Sequence, residues 1–518
     1  MAGISPGCPW WRVVFGLALA ACTGGPERPS PPPLSSLPAL PAAVEGPGGP
    51  RGEVRPVRWL SLALVGEVRG EIEPCGCPTL PYGGFARRST LLGNLRAEET
   101  LFHLDAGELL LKGESTARAA DRPRRAAALL GLSAAVGVDL WVPGPSDLLA
   151  LGKDGLRGAA ALHPTSATWD SGGALPPSAI LERDGLRIGV IGLSGALKGA
   201  QGLPSVDPVV AARSALAALP ADLDLVLALG SVDDADADRV AREVDGLPLL
   251  LTTKGDAYEG PRQPTRADGQ PGALIVEAPD RGRYLQRVEL RLGGPAAAPA
   301  RTPADPLRWQ ERRELVSRLA RKPDDAALLA RRDALEAGLD DEGRGRTLVG
   351  VSTIPLSEDL DPTGGAVVGA IEAFHQDTVA AAAARAAAPP AATVPRYATA
   401  AACVTCHTPE LSRWALTDHA KAWESLVKRR ATANPECVGC HATGFGEPGG
   451  FGDPADPSAL RYKAVQCEVC HGPMAGHPDD GGKPPPVTVA TCLPCHDKAN
   501  SPDFDYTRYL PRGSCQSR

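Results

Sequence analysis

The run Trp59-Leu60-Ser61-Leu62-Ala63-Leu64-Val65 is short and almost wholly apolar, the mark of a β-strand covered on both faces. Further short runs repeat it: Leu101 to Leu104, Leu140 to Val142, Ile188 to Leu193, Leu223 to Leu229 and Leu247 to Leu251. Between them stand Ala- and Leu-rich stretches of helical character, among them Arg122 to Val136, Val209 to Leu219 and Asp236 to Val244. Strands alternating with helices imply an α/β fold, here an α/β sandwich with buried sheets. Downstream, Asp305 to Gly338 is strongly charged with apolar positions at helical spacing, which predicts one or two surface helices. Val349 to Pro355 predicts a late strand and Gly365 to Ala387 a helix.

Upstream of the first strand, Gly25 to Pro56 is dominated by proline and glycine and reads as a semi-stiff spacer with no core of its own. Ahead of it, Arg12 precedes the apolar run Val13 to Ala21, well short of the ~20 residues that cross a bilayer. The run ends in Leu19-Ala20-Ala21-Cys22, a cysteine directly after small residues. That pattern resembles a lipoprotein signal, with Cys22 as the acylated first residue of the mature chain; an ordinary signal peptide cut nearby is the other reading. Export is expected either way. The lipid reading places the protein on the periplasmic side or outer membrane of a bacterial envelope, held to the membrane through a lipid anchor. A second break, Ala-rich with Pro389-Pro390, runs from Ala386 to Pro395.

Past that break the chain carries four copies of Cys-x-x-Cys-His: Cys403-Cys406-His407, Cys437-Cys440-His441, Cys467-Cys470-His471 and Cys492-Cys495-His496. Two cysteines separated by two residues reach the two vinyl groups of one porphyrin, and the adjacent histidine then lies under the iron as its proximal ligand. Zinc is the competing reading, since paired C-x-x-C units also build ribbons. A zinc ribbon gives no reason for a histidine straight after every pair. The spacing therefore predicts four covalently bound haem c groups.

Composition narrows the rest. The net charge of -7 disfavours nucleic acid as a partner. Of the 13 cysteines, eight belong to the four motifs, Cys22 to the lipid reading and Cys8 to the leader. Cys75, Cys77 and Cys515 remain, too few for a disulfide-stapled scaffold.

In open α/β folds chemistry collects in loops at the carboxyl ends of strands. Those loops hold Glu73-Pro74-Cys75-Gly76-Cys77 with Gly83-Gly84-Phe85-Ala86-Arg87-Arg88, then Asp105-Ala106-Gly107-Glu108, then Pro143-Gly144-Pro145-Ser146-Asp147. On these positions the region from Trp59 to Gly293 resembles the metallophosphatase/5′-nucleotidase superfamily. Its members carry Asp-x-His, Gly-Asp and Gly-Asn-His-Asp/Glu after the first three strands, and further histidines later, all holding two metal ions. Here cysteines replace Asp-x-His, Glu108 follows Gly107, Ser146 takes the histidine position, and Gly230-Ser231 and Thr252-Thr253-Lys254-Gly255 stand where later ligands belong. His103 and His163 occupy non-ligand positions. No dinuclear metal centre is expected, and phosphoester hydrolysis is disfavoured. The Cys-Gly-Cys, Gly-Gly, Arg-Arg run looks like an exported 5′-nucleotidase-like family that carries a redox-capable cysteine pair in place of the metal motif. Cys75 and Cys77 are thus candidate redox residues, or else a disulfide brace. Arg87 and Arg88 are candidates for tuning a thiol or holding an anion.

The segment from Tyr397 to Tyr509 is similar to the tetrahaem cytochrome that accepts electrons from hydroxylamine oxidoreductase. The residues that carry this are Trp414-x-x-x-x-His419-Ala420-x-Ala422, Cys467-Glu468-x-Cys470-His471-Gly472-Pro473, and His477 six residues on. The resemblance implies distal iron ligation by His419 and His477. Members often close with a further histidine, where this chain has Ser514-Cys515. It also implies an open haem at the second motif, that of His441. His375, on the helix ahead of the linker, is either a third distal candidate or a solvent-facing residue. Met474 allows His/Met ligation of one haem at most.

The expected domains are 1–22 signal, 23–56 spacer, 57–295 degenerate metallophosphatase-like α/β, 296–385 helical with a late strand, 386–396 linker, and 397–518 a small, mostly α-helical multihaem cytochrome. The leading reading of function is an electron carrier serving redox partner proteins. An oxidoreductase acting on a small redox substrate at the Cys75/Cys77 loop or an open haem is the alternative, and a partner-binding module the third. Whether the protein is an enzyme stays open at this stage.

Overall fold

In the computed structural model the described residues are 58–74, 81–110, 122–170, 172–196, 203–253, 260–387, 397–429, 431–479, 481, 483–496, 501, 503–513 and 515. Cys22, Cys75 and Cys77 lie outside them.

Two sheets form the α/β region. The first joins β1 (Arg58–Val65), β2 (Leu101–Asp105) and β3 (Leu140–Trp141) in parallel. On the other side of β1 it continues antiparallel through β9 (Tyr284–Leu292), β11 (Thr347–Pro355) and the short β10 (Ala300–Arg301), in the order β10-β11-β9-β1-β2-β3. The second has the order β4-β5-β6-β7-β8, from β4 (Ser178–Arg183), β5 (Leu186–Leu193), β6 (Leu225–Gly230), β7 (Leu249–Thr253) and β8 (Leu274–Ala278). Only β4 runs antiparallel to its neighbour.

Side-chain alternation along each strand explains how the sheets stack. Leu60, Leu62 and Leu64 of β1 join Val190, Leu227, Leu229, Leu251 and Val276 of the second sheet in one buried cluster, the seam between sheets. Ala63 and Val65 point the other way, into a cluster with α1 (Phe85–Glu98), α2 (Arg122–Ala135), α3 (Pro145–Gly158) and α8 (Ala366–Ala387). On the outer face of the second sheet, α4 (Pro208–Ala218) and α5 (Asp234–Glu243) cover Ile191, Ala228, Leu250 and Ile275. The layers run helix, sheet, sheet, helix, the sandwich expected from the strand pattern. Because β11 lies beside β9, the sheet is complete only at residue 355.

The strand pattern overlooked β9, whose sequence alternates apolar residues with Arg287, Glu289 and Arg291. Those charges are buried, at 2%, 1% and 1% exposure. Two helices, α6 (Pro306–Arg321) and α7 (Ala326–Glu342), supply partners for Glu289 and Arg291, and the end of α1 supplies those of Arg287. Arg313 and the Trp309 indole donate to Glu289, and Asp340 pairs with Arg291 at 2.7 Å. Arg287 binds Glu98 at 2.8 Å and Glu99 at 3.0 Å. The charged segment expected as surface helices therefore covers a charged sheet face.

Beyond the linker the helices are short: α9 (Ala400–Cys403), α10 (Thr408–Trp414), α11 (Ala422–Lys428), α12 (Pro435–His441), α13 (Cys467–His471), α14 (Val489–Cys492) and α15 (Tyr506–Gly513). Their apolar cluster is small, built on Trp423, Leu426, Val438, Phe451 and Tyr462. No helix among the described residues is long and apolar enough to cross a membrane.

Candidate haem sites and the strand-end loops

At the carboxyl end of β2 the chain turns through Gly107, whose φ of +100° admits glycine readily, and a Cβ there would lie 2.3 Å from the Val142 carbonyl. The turn buries Asp105, whose Oδ1 accepts from Gly107 N at 2.9 Å. Burial pushes its carboxyl up to about 6, opposed by that amide and by the Arg88 charge. Asp147, at the start of α3, is buried completely and accepts from Leu109 N, Leu110 N and Gly144 N at 2.8–2.9 Å. Both its oxygens are thus committed to backbone. Burial, then the nearby Glu108, drive it well above the ordinary carboxylate range. Glu108 accepts from Ser146 N at 3.3 Å and is itself raised by burial. Among the described residues no group of three or more His, Cys, Asp or Glu side chains is arranged to hold a metal ion.

Arg87 and Arg88 stand in the first turn of α1 with opposite duties. Arg87 forms a two-pronged pair with Asp361, at 2.5 and 3.1 Å, and donates to the carbonyls of Pro81 and Leu356. It thereby holds the chain just past the Cys75/Cys77 loop. Arg88 is 1% exposed, stacks over Phe85 at 4.4 Å and is lowered to about 10 by burial against the attraction of Asp105. It supplies positive charge inside the site rather than at its mouth. His103 is fully buried in β2, and burial, then Arg88, hold it well below the usual imidazole range. His163 lies in the loop after α3 with Nδ1 3.1 Å from Asp139 O.

The near end of the same loop reaches the motif-bearing segment. Glu73 lies 3.0 Å from His375 Nε2, an ion-pair distance without hydrogen-bond geometry. It also accepts from Asn434 Nδ2. Asn434 directly precedes α12, which carries Cys437, Cys440 and His441. His375 therefore sits against Glu73, and no motif histidine stacks on it among the described residues.

Four motif histidines and two distal candidates can be tested against haem geometry. An iron held between two imidazoles sets their ring centres about 6.3 Å apart, from two metal–nitrogen bonds of about 2 Å and ~1.1 Å within each ring. His407 and His477 have centroids 6.4 Å apart, and His419 and His496 6.0 Å. Both pairs fit a bis-imidazole haem. The remaining ring nitrogens are steadied as iron ligands need. His441 Nδ1 lies 2.8 Å from Ala422 O, His496 Nδ1 2.9 Å from Ser501 Oγ, and His419 Nδ1 3.4 Å from Gly513 O.

The motifs also touch one another. The Cys403 and Cys467 thiols are within hydrogen-bonding reach, and Cys492 raises the Cys470 thiol beyond the effect of burial. Two residues that the sequence reading passed over do the stitching. Buried Glu468 accepts from Ala398 N, Thr399 N and Met474 N at 2.8–2.9 Å, and Gln466 accepts from Ala400 N at 2.7 Å. The one visible hint was a carboxylate inside the third motif, Cys467-Glu468-x-Cys470.

Comparison with known proteins separates the chain along the same lines. A family model described as "Cytochrome c554 and c-prime" matches residues 402–472, which hold the first three motifs. Cytochrome c-554 of Nitrosomonas europaea is 40% identical over 86 residues, 14% of this chain and 36% of that protein. The match therefore spans about a third of the relative's length. In fold, the chain is similar to a 5′-nucleotidase precursor from Thermus thermophilus, with 19% identity, 62% of this chain and 60% of that chain covered, and a TM-score of 0.46. It is also similar to the calcineurin-like phosphoesterase YfkN from Bacillus subtilis, with 15% identity, 62% and 98% covered, and a TM-score of 0.42. The chain thus joins a two-sheet α/β sandwich to a C-terminal segment that matches the cytochrome c554 family model over residues 402–472.

Proposed function

We propose that this protein is an exported, lipid-anchored cytochrome with four haem c groups that carries electrons, and whose α/β region has given up the metal chemistry of its fold. The observation that carries the reading is the spacing of His407/His477 and His419/His496, set for iron between two imidazoles. Haem attachment sites 25 to 34 residues apart, with thiols of different motifs in contact, favour electron passage between neighbouring haems. The haem supplies the redox step when bound; the chain supplies ligands, burial and spacing. Cys22 is the lipid attachment point on this reading, residues 23–56 the spacer and 386–396 the linker. The residue set at the strand ends supports loss of hydrolysis: Asp147 is spent on backbone amides, Ser146 offers no imidazole, and Arg88 occupies the interior with a fixed positive charge.

A second reading draws on one contact. Glu73, two residues before Cys75, is bonded to Asn434 at the head of the second haem helix. On this reading Cys75 and Cys77 form a redox pair that exchanges electrons with the haem segment.

Pyridine haemochrome assay with redox titration tests the main reading. Four haems per chain are expected, mostly low-spin and mostly below zero potential, because imidazole in place of methionine keeps the potential down. His477→Ala and His419→Ala should each open one haem, seen as one new high-spin, carbon-monoxide-binding species. Two haems or fewer, or haem extracted by acid acetone, rules the reading out. For the anchor, Cys22→Ser should move the protein out of the membrane fraction with its haem spectrum intact.

A further inference from the structure

The four attachment motifs differ in what stands between their cysteines. The intervening pairs are Val404-Thr405, Val438-Gly439, Glu468-Val469 and Leu493-Pro494, so the third motif alone carries a charged side chain there. That side chain is buried, at 3% exposure. Glu468 Oε1 accepts from Ala398 N at 2.8 Å and Met474 N at 2.9 Å, and Oε2 accepts from Thr399 N at 2.8 Å. N–H donors on both oxygens are the setting of a carboxylate anion. Among the described residues no lysine or arginine is ion-paired with it. The charge is therefore held by neutral amides and is not cancelled by a cation.

Two stretches of chain place this carboxylate between motifs. Gly472, at φ +76°, turns the chain straight after His471 and brings Met474 N back to Glu468. Ala398 and Thr399 directly precede α9, the helix that ends at Cys403. Thr399 N donates to Glu468, and Thr399 O accepts from the Cys403 thiol at 3.8 Å. The carboxylate thus belongs to the residue next to Cys467 and is separated from Cys403 by the single residue Thr399. Its charge is felt at the first motif as well. Burial raises the Cys403 thiol, the hydrogen bond with Cys467 opposes that, and the Glu468 charge adds to the rise.

We propose that Glu468 is a fixed, buried negative charge that holds down the reduction potential of the haem attached at Cys467 and Cys470 and, less strongly, that of the haem attached at Cys403 and Cys406. The inference rests on the reading that these motifs carry haem. Reduction adds one electron to the iron, and a negative charge nearby opposes it. Burial keeps that opposition from being screened by solvent or salt. Glu468 binds no iron and moves no proton. It sets the order of potentials, so that electrons leave the third haem for a neighbour more readily than they return.

The test is an optical redox titration of full-length haem-loaded protein, resolved into its one-electron steps. Glu468→Gln keeps the shape of the side chain and an acceptor while removing the charge. One step should rise by about tenfold in its reduction equilibrium, ~59 mV, and a second by less, with haem count and low-spin spectrum unchanged. Glu468→Asp keeps the charge and should leave the potentials at the unsubstituted values even where stability drops. A carboxylate with a merely structural role would give no selective shift in either variant. Ala398→Lys covers the case in which Glu468→Gln fails to accumulate. It sets an ammonium on a half-buried neighbour without removing the amide that Glu468 binds, and the same two steps should rise. Four unmoved steps, or four that move equally, overturn the proposal. A haemochrome count below four with Cys467 and Cys470 free would defeat the underlying haem reading as well, whereas four haems with unmoved potentials defeat this assignment alone.

Discussion

Asp105 shows what burial does to a carboxylate that one backbone amide and one arginine charge only partly offset. Burial raises its folded-state value to about 6, above the usual 3.8. The native state then holds a proton through the interval from about pH 4 to pH 6 that the unfolded chain has released. Stability should therefore fall as pH rises across that interval, the opposite of a salt-bridged aspartate. Asp105→Asn keeps an acceptor for Gly107 N and removes the titration. Relative to the unsubstituted protein it should gain stability between pH 4 and pH 7, by at most about 3 kcal/mol. Thermal melts at the two pH values check this, and an equal offset at both would show that Asp105 stays ionised in the fold. Arg88 beside it remains charged throughout the range and is the one cation buried with it.

At the scale of elements, β9 deserves the second prediction because its stability is electrostatic as much as apolar. Glu289 accepts from Trp309 and Arg313 and lies 3.6 Å from Arg287, all with little solvent. Glu99 answers from the end of α1: burial pushes its carboxyl up, but Arg312 and Arg287 outweigh it and hold it below the ordinary value. Removing one member of such a buried set leaves charge without a partner, which costs about 3–5 kcal/mol. Glu289→Ala should destabilise the α/β region by that order, read as an earlier unfolding transition in urea. Glu289→Gln, which keeps one acceptor, should cost less. A loss under about 1 kcal/mol for Glu289→Ala would mean that water already solvates the set.

Across the whole molecule, the α/β region and the haem segment meet at Glu73, His375 and Asn434, and Arg385 of α8 adds a bond to Gly446 O at 3.3 Å. This contact sets Glu73 beside the start of α12, which carries the second Cys-x-x-Cys-His motif. Glu73→Gln combined with Asn434→Ala should leave the haem count and spectrum unchanged. If the loop exchanges electrons with the haems, the double variant should slow haem reduction by a small dithiol about tenfold, as should Cys75→Ser with Cys77→Ser. Stopped-flow absorbance at the haem band provides the measurement. Unchanged rates in both variants, with full haem content, would leave the α/β region a docking surface and no more.

The sequence alone determined what depends on local spacing. The two-residue gap of each Cys-x-x-Cys-His unit matches the spacing that covalent haem attachment needs, and the apolar runs specify buried strands because a covered sheet tolerates little else. By resemblance it also singled out His419 and His477 as distal candidates. Tertiary structure decided what depends on partners far along the chain. It paired His477 with His407 and His419 with His496, 70 and 77 residues apart by number. It turned Arg287, Glu289 and Arg291, which look solvent-facing in a strand, into an interior row because the end of α1, α6 and α7 bring opposite charge to them. It set His375 against Glu73 rather than against a motif histidine among the described residues. Spacing along the chain fixes covalent chemistry; a ligand's partner depends on distance through space, and only packing sets that distance.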